Sequence, residues 1–165
     1  MEKYYKDILL TTEFIPDDVE TPIRRQREIF GQEFGFLDSS HPYAERAQRD
    51  FAANWREGKD FLLIARKDGK FAGTITLMGE ENGVARLRFL IVENELRGMG
   101  LGKAIVTTAL EWAKDMGYRH VYLTTHSVLT TARKMYQSLG FVKTAEESAE
   151  EVCPGATEET WEIDL

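Results

Sequence analysis

Arg97-Gly98-Met99-Gly100-Leu101-Gly102 decides how this chain is read. An apolar run, Leu87 to Val92, precedes it, and an amphipathic segment, Lys103 to Met116, follows. The order is strand, glycine-rich turn, helix. Glycines let the backbone approach a ligand closely and expose successive N–H groups. The start of a helix carries about half a positive charge, so a phosphate or pyrophosphate is favoured there. Arg97 adds a cation. The dinucleotide fingerprint requires G-x-G-x-x-G, whereas Gly98 to Gly102 reads G-x-G-x-G. A P-loop requires glycine where Arg97 stands and Ser or Thr where Ala104 stands. Both readings fail on spacing.

The stretch resembles the R/Q-x-x-G-x-G/A loop of the GCN5-related N-acetyltransferases (the GNAT family), matched here by Arg97, Gly100 and Gly102. A second block, Ala132-Arg133-Lys134-Met135-Tyr136-Gln137-Ser138-Leu139-Gly140-Phe141, is similar to the family's A-x-x-x-Y-x-x-x-G-F signature. It stands one helix and one strand after the loop, as it does in the family. Nearly the whole chain, least so before Phe61, is similar to the acetyltransferase half of bacterial MarR–acetyltransferase fusion proteins. Arg86 to Glu93, Tyr122 to Arg133 and the ending Glu159 to Leu165 carry that likeness. The fused winged-helix domain has no counterpart in these residues, so no DNA binding is expected.

Composition is consistent with one soluble domain over residues 1–165, with 42% hydrophobic and 30% charged residues. No apolar run approaches the length of a membrane span, and the N-terminus lacks a signal-peptide apolar core. Cys153 is the only cysteine, which excludes an intrachain disulfide and suits a reducing cytoplasm. A net charge of −7 argues against broad nucleic-acid binding. No carboxylate–histidine cluster suggests a metal. The expected partners are a small-molecule or peptide amine, with no nucleic acid and no membrane; a homodimer is compatible with the sequence.

Strands are read over Ile8 to Phe14, Phe61 to Arg66, Phe71 to Met78, Val84 to Val92, His120 to Thr124, Phe141 to Thr144 and Thr160 to Leu165. Asp68-Gly69 marks a hairpin between the second and third. Helices are read over Ile23 to Phe30, from Ser40-His41-Pro42 through Trp55, over Lys103 to Met116 and over Thr130 to Leu139. Gly31 to His41 reads as irregular. The order is β-α-α-β-β-β-α-β-α-β-β. The family fold that it matches is α+β: a mixed, mostly antiparallel sheet of six to seven strands flanked by about four helices. In that fold the strands before the loop and after its helix splay apart and hold the pantetheine arm of acetyl-CoA.

The resemblance implies acetyl-CoA bound by the loop, Arg97 with Gly98, Met99, Gly100, Leu101, Gly102 and Lys103, and by strand groups of Leu90, Ile91 and Val92. The family often has Asn where this chain has Leu129, and Ser127 is a candidate replacement contact. Tyr136 is the candidate acid for the leaving thiolate, against a packed helix tyrosine as the plain alternative. The base is open between His126, Glu33 and neither. Many relatives carry glutamate on the strand before the loop. Here Arg86 and Arg88 stand there, and arginine is no base at neutral pH. Alternation places Arg86, Arg88, Leu90 and Val92 on one face. If that face lines the cleft, the arginines favour an acceptor with a carboxylate or phosphate. The function so implied is direct acetyl transfer to a primary amine, without an acyl-enzyme. The alternative is a non-catalytic acyl-CoA-binding regulatory module of the same fold.

Overall fold

The hairpin expected at Asp68-Gly69 is present in the computed structural model, which describes residues Met1–Leu165. Asp68 and Gly69 take positive φ, 50° and 76°, as a two-residue type I′ turn requires. The turn joins β3 (Asp60–Lys67) to β4 (Lys70–Gly79). Before them come β1 (Glu2–Tyr5), β2 (Ile8–Thr11), α1 (Asp17–Phe34) and α2 (His41–Ala53). After them come β5 (Val84–Val92), α3 (Leu101–Asp115), β6 (His120–His126), α4 (Thr130–Ser138), β7 (Val142–Ser148) and β8 (Thr157–Asp164). The strands form one 8-stranded sheet in the order β1-β2-β3-β4-β5-β6-β8-β7. Only β5 and β6 run parallel. No helix is long and apolar enough to cross a membrane.

Alternation along the central strands builds the core. Leu63, Ile75, Leu77, Ala85 and Leu87 are buried with Ile105, Val106, Ala109 and Ala113 of α3. The stripe expected on α3, Leu101, Ile105, Ala109 and Ala113, is at most 1% exposed. The intervening residues Leu62 and Thr74 meet Pro22 of α1 and Gln48 of α2 on the other face. Helices therefore cover both faces, α3 on one and α1 with α2 on the other.

The eighth strand is β1, which the sequence conceals. Glu2-Lys-Tyr-Tyr5 is an edge strand with no fully buried residue, so no apolar alternation announces it. β7 is exposed along its whole length and runs past Thr144 to Ser148, held by pairing with β8. α1 is longer at both ends than Ile23 to Phe30. Asp17, Asp18 and Glu20 favour its start through the helix dipole, and the Asp18 carboxylate accepts the Ile15 N–H at 2.7 Å. The helix continues through Gly31 to Phe34 and stops at Gly35, φ 72°.

One expectation about β5 is corrected. Thr76 pairs with Arg88 and Thr74 with Ile91, so Phe89 and Leu90 together oppose Ile75. This β-bulge shifts the alternation by one residue. Leu90 and Val92 pack against the α3-side core with Leu87, whereas Arg86 and Arg88 share the α1–α2 side with Thr76. The four residues do not share a face. Phe89, at φ 57°, carries the bulge in a conformation costly for a bulky residue.

α4 is fastened by a buried carboxylate. Glu159 of β8 is 1% exposed and accepts Arg133 Nε at 2.7 Å and Nη2 at 2.9 Å. It also accepts Trp161 Nε1 at 3.1 Å. Arg133 lies one turn before Tyr136 on α4. Breaking a buried pair from one side costs about 3 kcal/mol, so Glu159→Ala is expected to lower Tm by roughly 6–12 °C in a thermal melt. An unchanged Tm would show that α4 is held by packing alone.

Candidate active site

β5 and β6 pair only over Val84–Arg86 and His120–Tyr122. Beyond that, β5 continues to Val92 and β6 to His126 without pairing each other. The edge of β5 that faces β6 thus keeps backbone groups free for a ligand. A cavity of about 430 Å³ lies at the open end. Leu90, Ile91 and Val92 form one wall, and Thr130, Thr131, Ala132 and Met135 of α4 the other. Gly98 and residues Gly100 to Lys103 close the end, and Ile29, Phe30 and Phe34 of α1 cover it.

The glycine loop is shaped for an anion. Gly98 and Gly100 have φ of 77° and 83°. The N–H groups from Gly98 to Lys103 donate to no acceptor in the protein, and the first bond of this helix end is Ala104 N–H to Gly100 O at 3.0 Å. A row of free donors at a helix start fits a pyrophosphate. The β1–β2 hairpin supports the loop from behind. Tyr5 hydroxyl donates to Met99 O at 2.6 Å, and Lys6 Nζ does so at 3.1 Å. Arg97 pairs with Glu33 of α1 at 2.9 Å. Glu33 is thereby engaged at the charged end of the groove and lines neither this cavity nor the next. Ser127 is also outside the groove: its hydroxyl accepts the Thr157 N–H at 2.9 Å and ties β6 to β8. Leu129, Thr130 and Thr131, not Ser127, line the wall there.

A second cavity, about 270 Å³, lies between the sheet and α1–α2. Tyr136 lines both cavities, reaching from α4 into the gap between β5 and β6. Burial pushes its phenol above the ordinary tyrosine value, so it stays protonated. Arg86, Arg88 and His126 line the second cavity. Arg86 stacks on Tyr122 at 5.7 Å and approaches Thr124 Oγ1 at 3.3 Å. Arg88 stacks on Phe89 at 4.6 Å. Burial, and next the charge of Arg86, lower its pKa. Neither guanidinium is neutralised by a carboxylate. His126 packs edge-on against Phe36 at 4.9 Å, and burial holds its pKa below the ordinary histidine value. Its Nε2 stands 3.8 Å from Glu158, a carboxylate that sequence reasoning missed because only β6–β8 pairing brings it there.

The sequence model of the acetyltransferase (GNAT) family matches residues 23–141. The chain belongs to the GNAT family. Human N-acetyltransferase 8B is 39% identical to it over 88 residues, 50% of this chain and 39% of that protein. N-acetylaspartate synthetase from Xenopus tropicalis is 38% identical over 79 residues, 47% of this chain and 29% of that protein. The matched stretch thus spans well under half the length of either relative. A GNAT-family acetyltransferase from Staphylococcus aureus superposes with a TM-score of 0.78 at 18% identity, over 96% of this chain and 99% of that one. An acetyltransferase from Bacillus anthracis, solved in complex with acetyl coenzyme A, gives 0.60 at 21% identity, over 70% and 68%. At these identities the likeness is one of fold.

Within the GNAT frame, the lone cysteine has a structural position. Cys153 is buried beside Phe36 and Ala156, donates to Phe34 O at 3.3 Å and lines neither cavity. Gly100 is the loop position with least tolerance. A Cβ there would stand 2.6 Å from the Tyr5 hydroxyl at a φ that L side chains rarely adopt. Gly100→Val is expected to weaken coenzyme A binding about 10-fold or more by calorimetry, by displacing the loop from its anion-binding shape. Unchanged affinity would remove the loop from the binding site.

Proposed function

We propose that this chain is an acetyl-CoA-dependent N-acetyltransferase that passes acetyl directly to the primary amine of a small molecule or peptide bearing an anionic group. The observation that carries the reading is Tyr136, which lines both the groove of the glycine loop and the arginine-lined cavity. One side chain therefore touches the places where two substrates would meet.

Acetyl-CoA supplies a thioester, so transfer forms a C–N bond, breaks a C–S bond, and requires a base at the amine and an acid at sulfur. The free N–H groups of Gly98 to Lys103 and the Arg97 guanidinium would hold its pyrophosphate. Leu90 to Val92 would hold its amide arm by adding to the open strand edge. The Tyr136 hydroxyl keeps a proton at the mouth of the gap. Its raised pKa does not disqualify it, because a thiolate leaving into the same dry gap is desolvated and made more basic as well. His126 is the base. It is neutral at pH 7 because burial lowers its pKa, and Glu158 nearby stabilises the imidazolium that forms.

The acceptor class follows from Arg86 and Arg88. Two guanidiniums without carboxylate partners repel a polyamine and reward an anionic group, with charge-assisted hydrogen bonds of roughly 1.5–3 kcal/mol each. The similarity to N-acetylaspartate synthetase supports an amino-acid-like acceptor.

An amine panel at fixed acetyl-CoA tests the reading. Amino acids and other anionic amines are expected to exceed spermidine-like amines, and Arg86→Gln with Arg88→Gln is expected to abolish the preference. Acetyl-CoA binding with no turnover on any amine would favour the non-catalytic module instead. Tyr136→Phe is expected to lower kcat about 10²-fold with coenzyme A affinity unchanged. A normal kcat, with chemistry rate-limiting, would return Tyr136 to packing.

The pH dependence carries its own sign. The base must be neutral, and the pKa of His126 lies below the ordinary 6.5. His126 therefore stays neutral and able to accept a proton as pH falls to 6.5, and loses that capacity only below it. In a plot of log kcat/KM, His126 adds a further unit of acid-side slope below pH 6.5, on top of that of the amine itself. His126→Gln is expected to remove that extra slope. Its persistence would assign the limb to another group.

A further inference from the structure

Three buried side-chain atoms have no hydrogen-bond partner within the protein: His41 Nε2, Arg86 Nε and His126 Nε2. They come from α2, β5 and β6, far apart in sequence. All three residues line the same cavity, the one beneath α1 and α2. Buried polar atoms are nearly always paired, because an unpaired one keeps its desolvation cost. Three such atoms at one cavity mark it as a place that receives polar atoms, of a ligand or of water. Arg86 and His126 already have roles in the acetyltransferase reading. His41 has none, and its position in the sequence is isolated.

His41 is 4% exposed, at the first position of α2. Its ring lies against α1 at Gly31. A Cβ at Gly31 would stand 3.4 Å from Nε2 and 4.0 Å from Cε1. Gly31 is interior to α1, where glycine is the poorer helix former and no positive φ calls for it. The missing methyl leaves room beside the unpartnered nitrogen. Helix propensity and packing thus both give way at the point where His41 keeps a free polar atom. Burial, and next the charge of Arg27, keep the imidazole neutral, so it offers one N–H donor and one acceptor.

We propose that His41 is a specificity-determining residue of the acceptor site, which with Arg86 and Arg88 receives the carboxylate of an amino-acid-like amine. The division of labour is spatial. The helix side of the cavity supplies His41, and the sheet side supplies the two guanidiniums. The reacting amine is left to His126, whose Glu158 neighbour would repel the carboxylate. This inference rests on the acetyltransferase reading and adds to it the residue that completes the anion subsite.

The test uses acetyl-CoA and two matched acceptors, an α-amino acid and the same molecule with its carboxylate converted to an amide. His41→Phe keeps the ring and removes both nitrogens. It is expected to raise KM for the amino acid about 10-fold, to leave its kcat and the KM for acetyl-CoA within about 2-fold, and to erase the preference over the amide. His41→Gln, which restores hydrogen-bonding groups, is expected to recover part of that preference. An unchanged preference in His41→Phe overturns the proposal, and so does a loss of kcat at constant KM. Gly31→Ala is the second variant, since it leaves His41 in place and raises helix propensity. It is expected to raise the amino-acid KM while Tm holds or rises, and an unchanged KM again counts against the proposal. Wild-type turnover tests the underlying reading separately. If the wild type acetylates neither amine, that reading falls, and His41 is judged by its imidazole NMR signals in coenzyme A-loaded protein as the amino acid is added. A shift of the His41 signals supports the anion subsite; no shift rejects it.

Discussion

Three residue pairs hold β5 to β6, and their pairing then stops. The proposed acetyl transfer depends on that parting. A fully zipped pair would consume the backbone groups of Leu90 to Val92 and close the gap that Tyr136 enters. Two features accompany the separation. The bulge at Phe89 shifts the alternation of β5, and the α4 segment inserts Tyr136 between the strands from the far face. A buried ion pair between Arg133 and Glu159 holds that segment to β8. Glu159 lines neither cavity, yet it secures the helix that does.

The bulge also sorts chemistry between the two faces. Before it, Arg86 and Arg88 point to the side of α1 and α2. After it, Leu90 and Val92 pack on the α3 side. An unbroken strand would have sent guanidiniums and aliphatic wall to the same face, mixing a cationic pocket with an apolar groove. The strained φ of Phe89 accompanies this division, and the Arg88 guanidinium lies over the same ring. Strain at such a site is tolerated because strand pairing on either side determines the local path.

α1 acts as a strap across both cavities. Arg25 bonds Glu93 through two nitrogens, at 2.7 and 2.9 Å, just past the end of β5. Glu33 pairs with Arg97 at the glycine loop, so a carboxylate already touches the cation that a pyrophosphate would seek. The helix thus meets the loop at Arg97 while its Phe30 lines both cavities.

The glycine loop, the amphipathic stripe of α3, the Asp68-Gly69 hairpin and the order of the central elements were legible in the residues alone. Each depends on neighbours within one turn or one strand, where periodicity and turn chemistry speak directly. β1 was not legible, since an exposed edge strand owes its existence to its partner and carries no apolar pattern. The bulge was not legible either, because nothing in Arg86 to Val92 marks an extra residue. Only the register against β4 reveals it. Glu33, Ser127 and His41 show the same limit from three directions. A carboxylate considered as a base lies against Arg97, a hydroxyl considered as a ligand ties β6 to β8, and a histidine that looked isolated lies in the cavity of Arg86 and His126. Local sequence determines which elements form and where a loop of free amides begins. Long-range packing alone decides which side chains meet, because those meetings join residues from separate elements whose spacing along the chain carries no record of their distance in space.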